Sequence, residues 1–365
     1  MDKRMNILVV QRGRGLGGPN RNALRLSREL AKEHNIWIAC NRSSWLAEAA
    51  DSEGIPTIKL RLPGSILNPF AASVLSRFVR DNNIDIVRGY GEVGAMYAVI
   101  ASRRSSAVPV ASAHTLLPKR LRWTRRCDAI IAVSDATKQI LLERGIPGEK
   151  IYVIKHGVPI ELLDINRADC RRRIRSEFHI DESAPLAVAV GGTIPIKGHD
   201  IFLKAAAIVR RSVTDARFLV VGDMDSRFMP VLQNIVNEYG LRDSVVFTGR
   251  RHDVLDIMAA ADVVVLPSRS ESLSQVAMES QAVGTPVVAS RIGGLPEVVA
   301  DGESGILVES ENVEMFAEAM QLLLTNHDLA HRLGEAGRVR VRSELNTKVM
   351  MEKTAALYHK LLSER

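Results

Sequence analysis

Two α/β domains, each with a parallel sheet covered by helices on both faces, are the architecture this sequence predicts. Three observations lead there. The chain has 365 residues, too long for one ordinary core and suited to two. Short apolar runs alternate with helical patterns along nearly its whole length, as strands joined by crossover helices require. The alternation breaks once, near residues 160–170, and then begins again.

In the first series, strand-like runs fall at Asn6–Val10, Ile36–Cys40, Thr57–Leu60, Ile84–Val87, Val108–Ala111, Ala129–Val133 and Tyr152–Ile154. Each is short, apolar and bounded by polar or turn-forming residues. Helical patterns lie between them, for example Asn20–His34 and Ala136–Arg144. A polar, arginine-rich helix at Asp169–Phe178 follows, its Cys-Arg-Arg-Arg-Ile-Arg run reading as a solvated face, and then the turn-prone Asp-Glu-Ser-Ala-Pro. The second series is Leu186–Val190, Phe218–Val221, Val245–Phe247, Val263–Leu266, Pro286–Ala289 and Gly305–Val308, with a last helix at Thr347–Leu362.

Composition narrows the class. With 46% hydrophobic and 25% charged residues the chain can bury substantial cores and is not disordered. No apolar run reaches membrane-spanning length, and the N-terminal apolar run is too short for a signal peptide, so it reads as a first buried strand. Cys40, Cys127 and Cys170 are odd in number and far apart, which suggests neither a disulfide framework nor a metal cluster, and favours a reducing cytoplasm. Residues 1–165 hold 25 Lys and Arg against 15 Asp and Glu, and residues 166–365 hold 24 against 27. Such asymmetry points to an anionic partner for the first half. Aromatics at 4% and the lack of a nucleic-acid motif argue against nucleic acid.

Several motifs carry chemistry. In Pro267–Val308, Glu271 follows an apolar strand and Glu279 lies on a helix beginning near Gln275, with a Gly-Gly-Leu-Pro-Glu turn beyond at Gly293–Glu297. Two carboxylates and a helix N-terminus thus meet at the carboxyl edge of a parallel sheet, where ligands of such sheets and phosphates bind. Gly191-Gly192-Thr193-Ile194-Pro195-Ile196-Lys197-Gly198 opens the second domain: a glycine turn lets backbone approach a ligand, and a lysine at a helix start, disfavoured by the dipole, suits a diphosphate. Gly13, Gly15 and Gly18 fit G-x-G-x-x-G, but the second strand ends in Cys40-Asn41-Arg42 with no carboxylate for a ribose. His114 follows a strand. Asp223-Met224-Asp225 is a D-x-D that could ligate metal, yet its place before a helix reads as a helix start.

The whole string PSRSESLSQVAMESQAVGTPVVASRIGGLPEVVADGESGILV closely resembles the donor-site signature of the family 4 retaining glycosyltransferases, and the resemblance extends over most of the chain. It implies a GT-B fold: two Rossmann-like domains facing across a cleft. Residues 1–165 would form an acceptor-side domain, 166–345 a nucleotide-sugar-binding domain, and 346–365 a helix packing back on the first.

The resemblance also implies roles. Glu271 would face the transferred sugar and Glu279 hold the ribose hydroxyls, while the amides of Ser272, Leu273 and Ser274 line the diphosphate. Lys197 would clamp the leaving diphosphate. The Gly17-Gly18 loop would bring amides to the sugar and phosphate, and Gly192, Thr193 and Arg250 would complete the donor contacts. His114 would hydrogen-bond sugar hydroxyls and stabilise developing charge. No metal and no cofactor are implied beyond the nucleotide-diphosphate sugar as co-substrate, and the acceptor would be a saccharide or glycolipid in polysaccharide or lipopolysaccharide synthesis, with an anionic membrane surface as a further partner. Three departures stand out: Pro19-Asn20 replace a small residue and Glu, Gly192 replaces the second clamp, an Arg, and Ser272, Leu273 and Ser274 replace Gly, Phe and Gly. The alternatives are an NAD(P)- or flavin-dependent oxidoreductase using Gly13–Gly18 and a non-catalytic glycan-assembly subunit.

Overall fold

The computed structural model describes residues 4–13, 15, 17–64 and 67–365. These fall into two compact units, residues 1–159 with 347–365 and residues 160–346. The first unit alternates strictly at its start: β1 (Asn6–Val10), α1 (Gly18–Leu30), β2 (Asn35–Asn41), α2 (Trp45–Ser52), β3 (Thr57–Leu60), α3 (Pro69–Asp81), β4 (Ile86–Tyr90), α4 (Gly91–Ser102). Then come β5 (Val108–Ala113), β6 (Ala129–Ala132), α5 (Asp135–Glu143) and β7 (Ile151–Val153). All seven strands pair in parallel in the order β3-β2-β1-β4-β5-β6-β7.

Strand side chains feed two cores, one on each sheet face. Ile7, Val9, Ile36 and Ile38 join Ala23, Leu26 and Leu30 of α1, whereas Leu8, Val10 and Val87 join Leu75, Val79 and Tyr97. Central strands are therefore mostly apolar, as a parallel sheet buried on both faces demands, with buried Arg88 of β4 and Ser112 of β5 as polar exceptions. β4 and α4 meet at Gly89 and Gly94, where a Cβ on Gly89 would lie 2.1 Å from a backbone carbon, so only glycine fits. α1 is shorter than the expected Asn20–His34, because Leu30 is its last core residue and the chain must turn before β2. Its start carries Pro19 in the first turn, where no N–H is needed.

The second unit runs α6 (Arg167–Glu177), β8 (Leu186–Val190), α7 (His199–Val209), β9 (Arg217–Val221), α8 (Met229–Glu238), β10 (Val245–Gly249) and α9 (Val254–Ala260). It continues β11 (Val263–Leu266), α10 (Gln275–Ala282), β12 (Val287–Ser290), α11 (Leu295–Val298), β13 (Gly305–Val308), α12 (Val313–Thr325) and α13 (His327–Ser343). Its six parallel strands are ordered β10-β9-β8-β11-β12-β13, again with a core on each face. The arginine run on α6 is a solvated face only at Arg172 and Arg173, which are exposed, while Arg171 and Arg175 turn inward. Arg175 is only 1% exposed, with its guanidinium on the carbonyls of Asp181 and Ala184 and on Asp262, and Arg171 shares that carboxylate. Their target, Asp262, stands just before β11, so these two arginines lock α6 to the sheet.

A last helix, α14 (Thr347–Ser363), belongs to the first unit. Met350, Met351, Tyr358 and Leu361 enter its core beside α1. Among the described residues no helix is long and apolar enough to cross a membrane.

Candidate functional site

In the second sheet β9 and β10 lie to one side of β8, and β11, β12 and β13 to the other. The order in which strands are added switches sides between β8 and β11, so a crevice opens beyond their carboxyl ends. Two loops converge there. Beyond β8, a short turn at Pro195–Lys197 ends in Gly198 at φ 69°, where a Cβ would stand 1.9 Å from the carbonyl oxygen of Pro267. That contact presses the Lys197 loop against the end of β11. Lys197 Nζ lies 2.7 Å from Glu271 Oε2, both side chains being mostly covered. Lys197 therefore stands at the start of α7, just before its cap residue Gly198, as the sequence suggested, and is paired with a carboxylate that the sequence did not reveal. Glu271 offsets the unfavourable placement.

The surrounding loop is tied down on every side. Arg269 donates to both carboxylate oxygens of Asp200, to the carbonyl of Pro195 and to Glu311, and its own amide donates to the carbonyl of Ile196. The carbonyl of Glu271 accepts from the amide of Gly294. Ser274 caps α10, its hydroxyl accepting from the amide of Ala277 at 3.2 Å, and Leu273 is buried. Glu279 is 3% exposed on the first turns of α10, which excludes a solvent-facing role. Lysine, glutamate and a helix N-terminus are what an anionic, hydroxyl-bearing ligand needs.

Thr193 joins the loops after β8 and β9. Its amide donates to the carbonyl of Asp223 at 2.8 Å, and its hydroxyl accepts from the amide of Asp225 at 2.6 Å. A Cβ at Gly192 would meet only that same carbonyl, at 3.7 Å, so the position is open to a side chain. Arg250 follows β10 and holds the Asp223 carboxylate through two bonds of 2.6 Å. The D-x-D is not a helix start: α8 begins later, at Met229. Asp225 instead caps the turn before it, accepting from the amide and guanidinium of Arg227, which pull its carboxyl down to about 2. Among the described residues no group of three or more His, Cys, Asp or Glu is placed to hold a metal ion.

The remaining expected residues lie in the first unit. Gly17 precedes α1 as its cap residue and Gly18 is its first residue. Asn20 donates its side-chain amide to the carbonyl of Gly15, so it is spent on the loop. Arg14 lies outside the described residues. Asn41, at the end of β2, binds the carbonyl of Arg12 and the amide of Leu62, which makes it a structural tie in place of a ribose ligand.

His114 follows β5 and stacks on Tyr90, ring centroids 4.9 Å apart and planes 11° apart. Its Nδ1 lies 3.0 Å from Nε2 of His156, which follows β7 on the same sheet edge. Arg88 stands over Tyr90 at 5.1 Å and donates to Ser112. Burial first, then the charges of Arg88 and Arg25, push His156 down to about 3. Burial likewise takes His114 well below the usual imidazole range, His156 and Arg88 adding to it. Both rings are therefore neutral at pH 7, one donating to the other. His114 also lines a cavity of about 550 Å³ in the first unit, whose wall is fixed by Glu92 accepting from the amides of Trp123 and Thr124.

Sequence reasoning missed His156, Arg88, Arg269 and Asp200. His156 stands at a strand end on the edge where His114 was noted, and that placement was its one legible signal.

The family profile described as "Glycosyl transferases group 1" matches residues 171–340, and that described as "Glycosyltransferase Family 4" matches 16–162. The chain is 30% identical over 333 residues to the GDP-mannose-dependent alpha-(1-6)-phosphatidylinositol monomannoside mannosyltransferase of Mycolicibacterium smegmatis, covering 85% of this chain and 86% of that one. It is 32% identical over 213 residues to the D-inositol 3-phosphate glycosyltransferase of Corynebacterium aurimucosum, 57% of this chain and 51% of the other, so it spans about half of that relative. The solved Anabaena protein Alr3699/HepE, in complex with UDP, superposes with a TM-score of 0.86 at 19% identity, over 98% of this chain and 100% of the other, a likeness of fold.

Proposed function

We propose, from the premise that this chain belongs to the family 4 glycosyltransferases, that it moves a sugar from a nucleotide-diphosphate sugar to a saccharide or glycolipid acceptor with retention of configuration and without a metal. The observation that carries the reading is the Lys197–Glu271 pair, held 2.7 Å apart at the crevice between β8 and β11. Departure of a nucleoside diphosphate leaves an oxocarbenium-like sugar. Lys197 and the amides of Ser272, Leu273 and Ser274 at the start of α10 stabilise the charge on the leaving group. Glu271 accepts from the hydroxyls of the transferred sugar, and buried Glu279 from the ribose. His114, neutral and held by Tyr90 and His156, hydrogen-bonds the sugar and stabilises developing charge. The acceptor hydroxyl attacks from the face the diphosphate leaves, which gives retention.

Asp223 and Asp225, each held by an arginine, support metal independence. The relatives' names, an inositol phosphate and a phosphatidylinositol mannoside, favour an acceptor carrying phosphate, in synthesis of a cell-surface glycan by a protein working at the membrane's inner face. The test is a thermal-shift screen with UDP, GDP, ADP and CMP and their sugars, since a ligand that binds the folded state raises the melting temperature by mass action. A diphosphate that stabilises the native protein but not Lys197→Ala supports the site. Stabilisation by NADPH with none by any nucleotide sugar would overturn it.

A further inference from the structure

We propose that one face of the first unit, formed by α3 and the carboxyl end of α4, docks the protein on an anionic phospholipid surface. On α3, Phe70, Ser73, Arg77 and Arg80 fall at i, i+3, i+7 and i+10, one stripe of the helix, and all four are exposed. The opposite stripe, Ala71, Leu75 and Val79, is buried in the core. α3 is thus a surface helix with an apolar inner face and a basic outer one. Arg103 and Arg104, just past α4, meet Arg77 and Arg80 around a shared groove of about 380 Å³. No carboxylate lines that groove. Among the described residues none of the four guanidinium groups is engaged in an ion pair or side-chain hydrogen bond.

Four like charges around one groove repel one another, and the groove's own lining holds no carboxylate to offset them. Charge complementarity therefore calls for a polyanion. Two features favour a bilayer. Phe70 is 67% exposed at the start of the same stripe, about 15 Å from Arg80 along the helix, an apolar anchor beside cations as interfacial helices carry. The arginines also lie at the carboxyl ends of α3 and α4, next to the beginnings of the strands. His114 and the 550 Å³ cavity are at the opposite sheet edge, so the anion bound by this groove is not the reacting substrate.

The arginines of α1, although spaced along one helix face, do not form this surface. Arg28 is paired with Glu53, and Arg21 and Arg25 are half-buried on a helix covered by α14. Meanwhile the first unit as a whole holds 29 Lys and Arg against 15 Asp and Glu, a net +14, which leaves its exposed arginines in a positive field.

The assignment rests on the membrane-side reading above, while its test reads lipid binding without any transfer. The native protein and its variants are co-sedimented with vesicles of phosphatidylcholine alone and of phosphatidylcholine mixed with phosphatidylglycerol. Tryptophan fluorescence and the nucleotide thermal shift confirm that each variant is folded. Binding is expected to the anionic vesicles only, weakened by about thirtyfold in R77E/R80E and likewise in R103E/R104E, and unchanged in Arg28→Glu. Phe70→Ser should weaken it at high salt as well. Equal binding to neutral vesicles, binding unaffected by the α3 and α4 reversals, or preferential binding of an RNA oligomer in competition would overturn the proposal.

Discussion

Lowering the pH from 7 to 5 should destabilise the first unit through its buried histidine pair. His156 has a folded pKa of about 3 against an ordinary value of 6.5. Its folded value is depressed, so the native state binds fewer protons than the unfolded one between those values. Stability is then fully present above about 6.5 and falls as pH drops toward 3. At pH 5 the unfolded imidazole is nearly all protonated and the native one is not, which amounts to about 2 kcal/mol lost relative to pH 7 from His156 alone. His114, displaced the same way by burial, adds to the loss. The assay is convenient, because Trp37, Trp45 and Trp123, the three tryptophans of the chain, all lie in the first unit. Their fluorescence during urea unfolding at pH 7, 6 and 5 reads that unit. In His156→Asn the side-chain amide can still donate to His114 but does not titrate, so the pH slope should flatten. Parallel slopes for native and variant protein would refute the reasoning, as would a native unit that gains stability on acidification.

Lys197→Ala should cost about 2–4 kcal/mol of transition-state stabilisation, read as a fall in turnover with nucleotide sugar while the circular dichroism stays native. Unchanged turnover would remove the residue from the site. Activity should survive EDTA, whereas loss reversed by Mg²⁺ or Mn²⁺ would make the Asp223 loop a ligand set after all. Gly192→Arg meets open space and should raise the thermal shift produced by a nucleoside diphosphate. Gly198→Ala should destabilise the second unit by several kcal/mol and abolish donor binding, since its Cβ would clash with the Pro267 carbonyl. Calorimetry separates that case from a simple loss of affinity.

The strands were legible because each is a short apolar run with polar ends, and all thirteen fall within a few residues of such a run. The sites were legible as strings rather than as geometry. Glu271 and Glu279 stood out by their neighbours in sequence. That Glu279 is buried did not, because α10 is covered by α13 as well as by the sheet and so lacks an amphipathic pattern. Lys197 looked unexplained because its partner is 74 residues away, across the switch in strand order. The arginines of α1 have the spacing of a basic face, but whether that face is open depends on a helix more than three hundred residues later. On α3 the same kind of spacing is left uncovered. Local pattern finds candidate faces, and only packing decides which remain.

Helix α14 has a consequence for how the protein comes into being. Val158 and Thr347 are hydrogen-bonded neighbours, so the second unit leaves and rejoins the first at almost one point. The second unit is continuous in sequence and needs no later residue to finish its core. The first does. Its earliest strands wait for Met350, Tyr358 and Leu361, and buried Arg88 and Asn22 wait for their partners on the same helix. The aspartate- and glutamate-rich later unit can therefore mature without α14, whereas the earlier, basic one cannot close until that helix arrives. A chain released before residue 347 would carry a complete second unit attached to an unfinished first one.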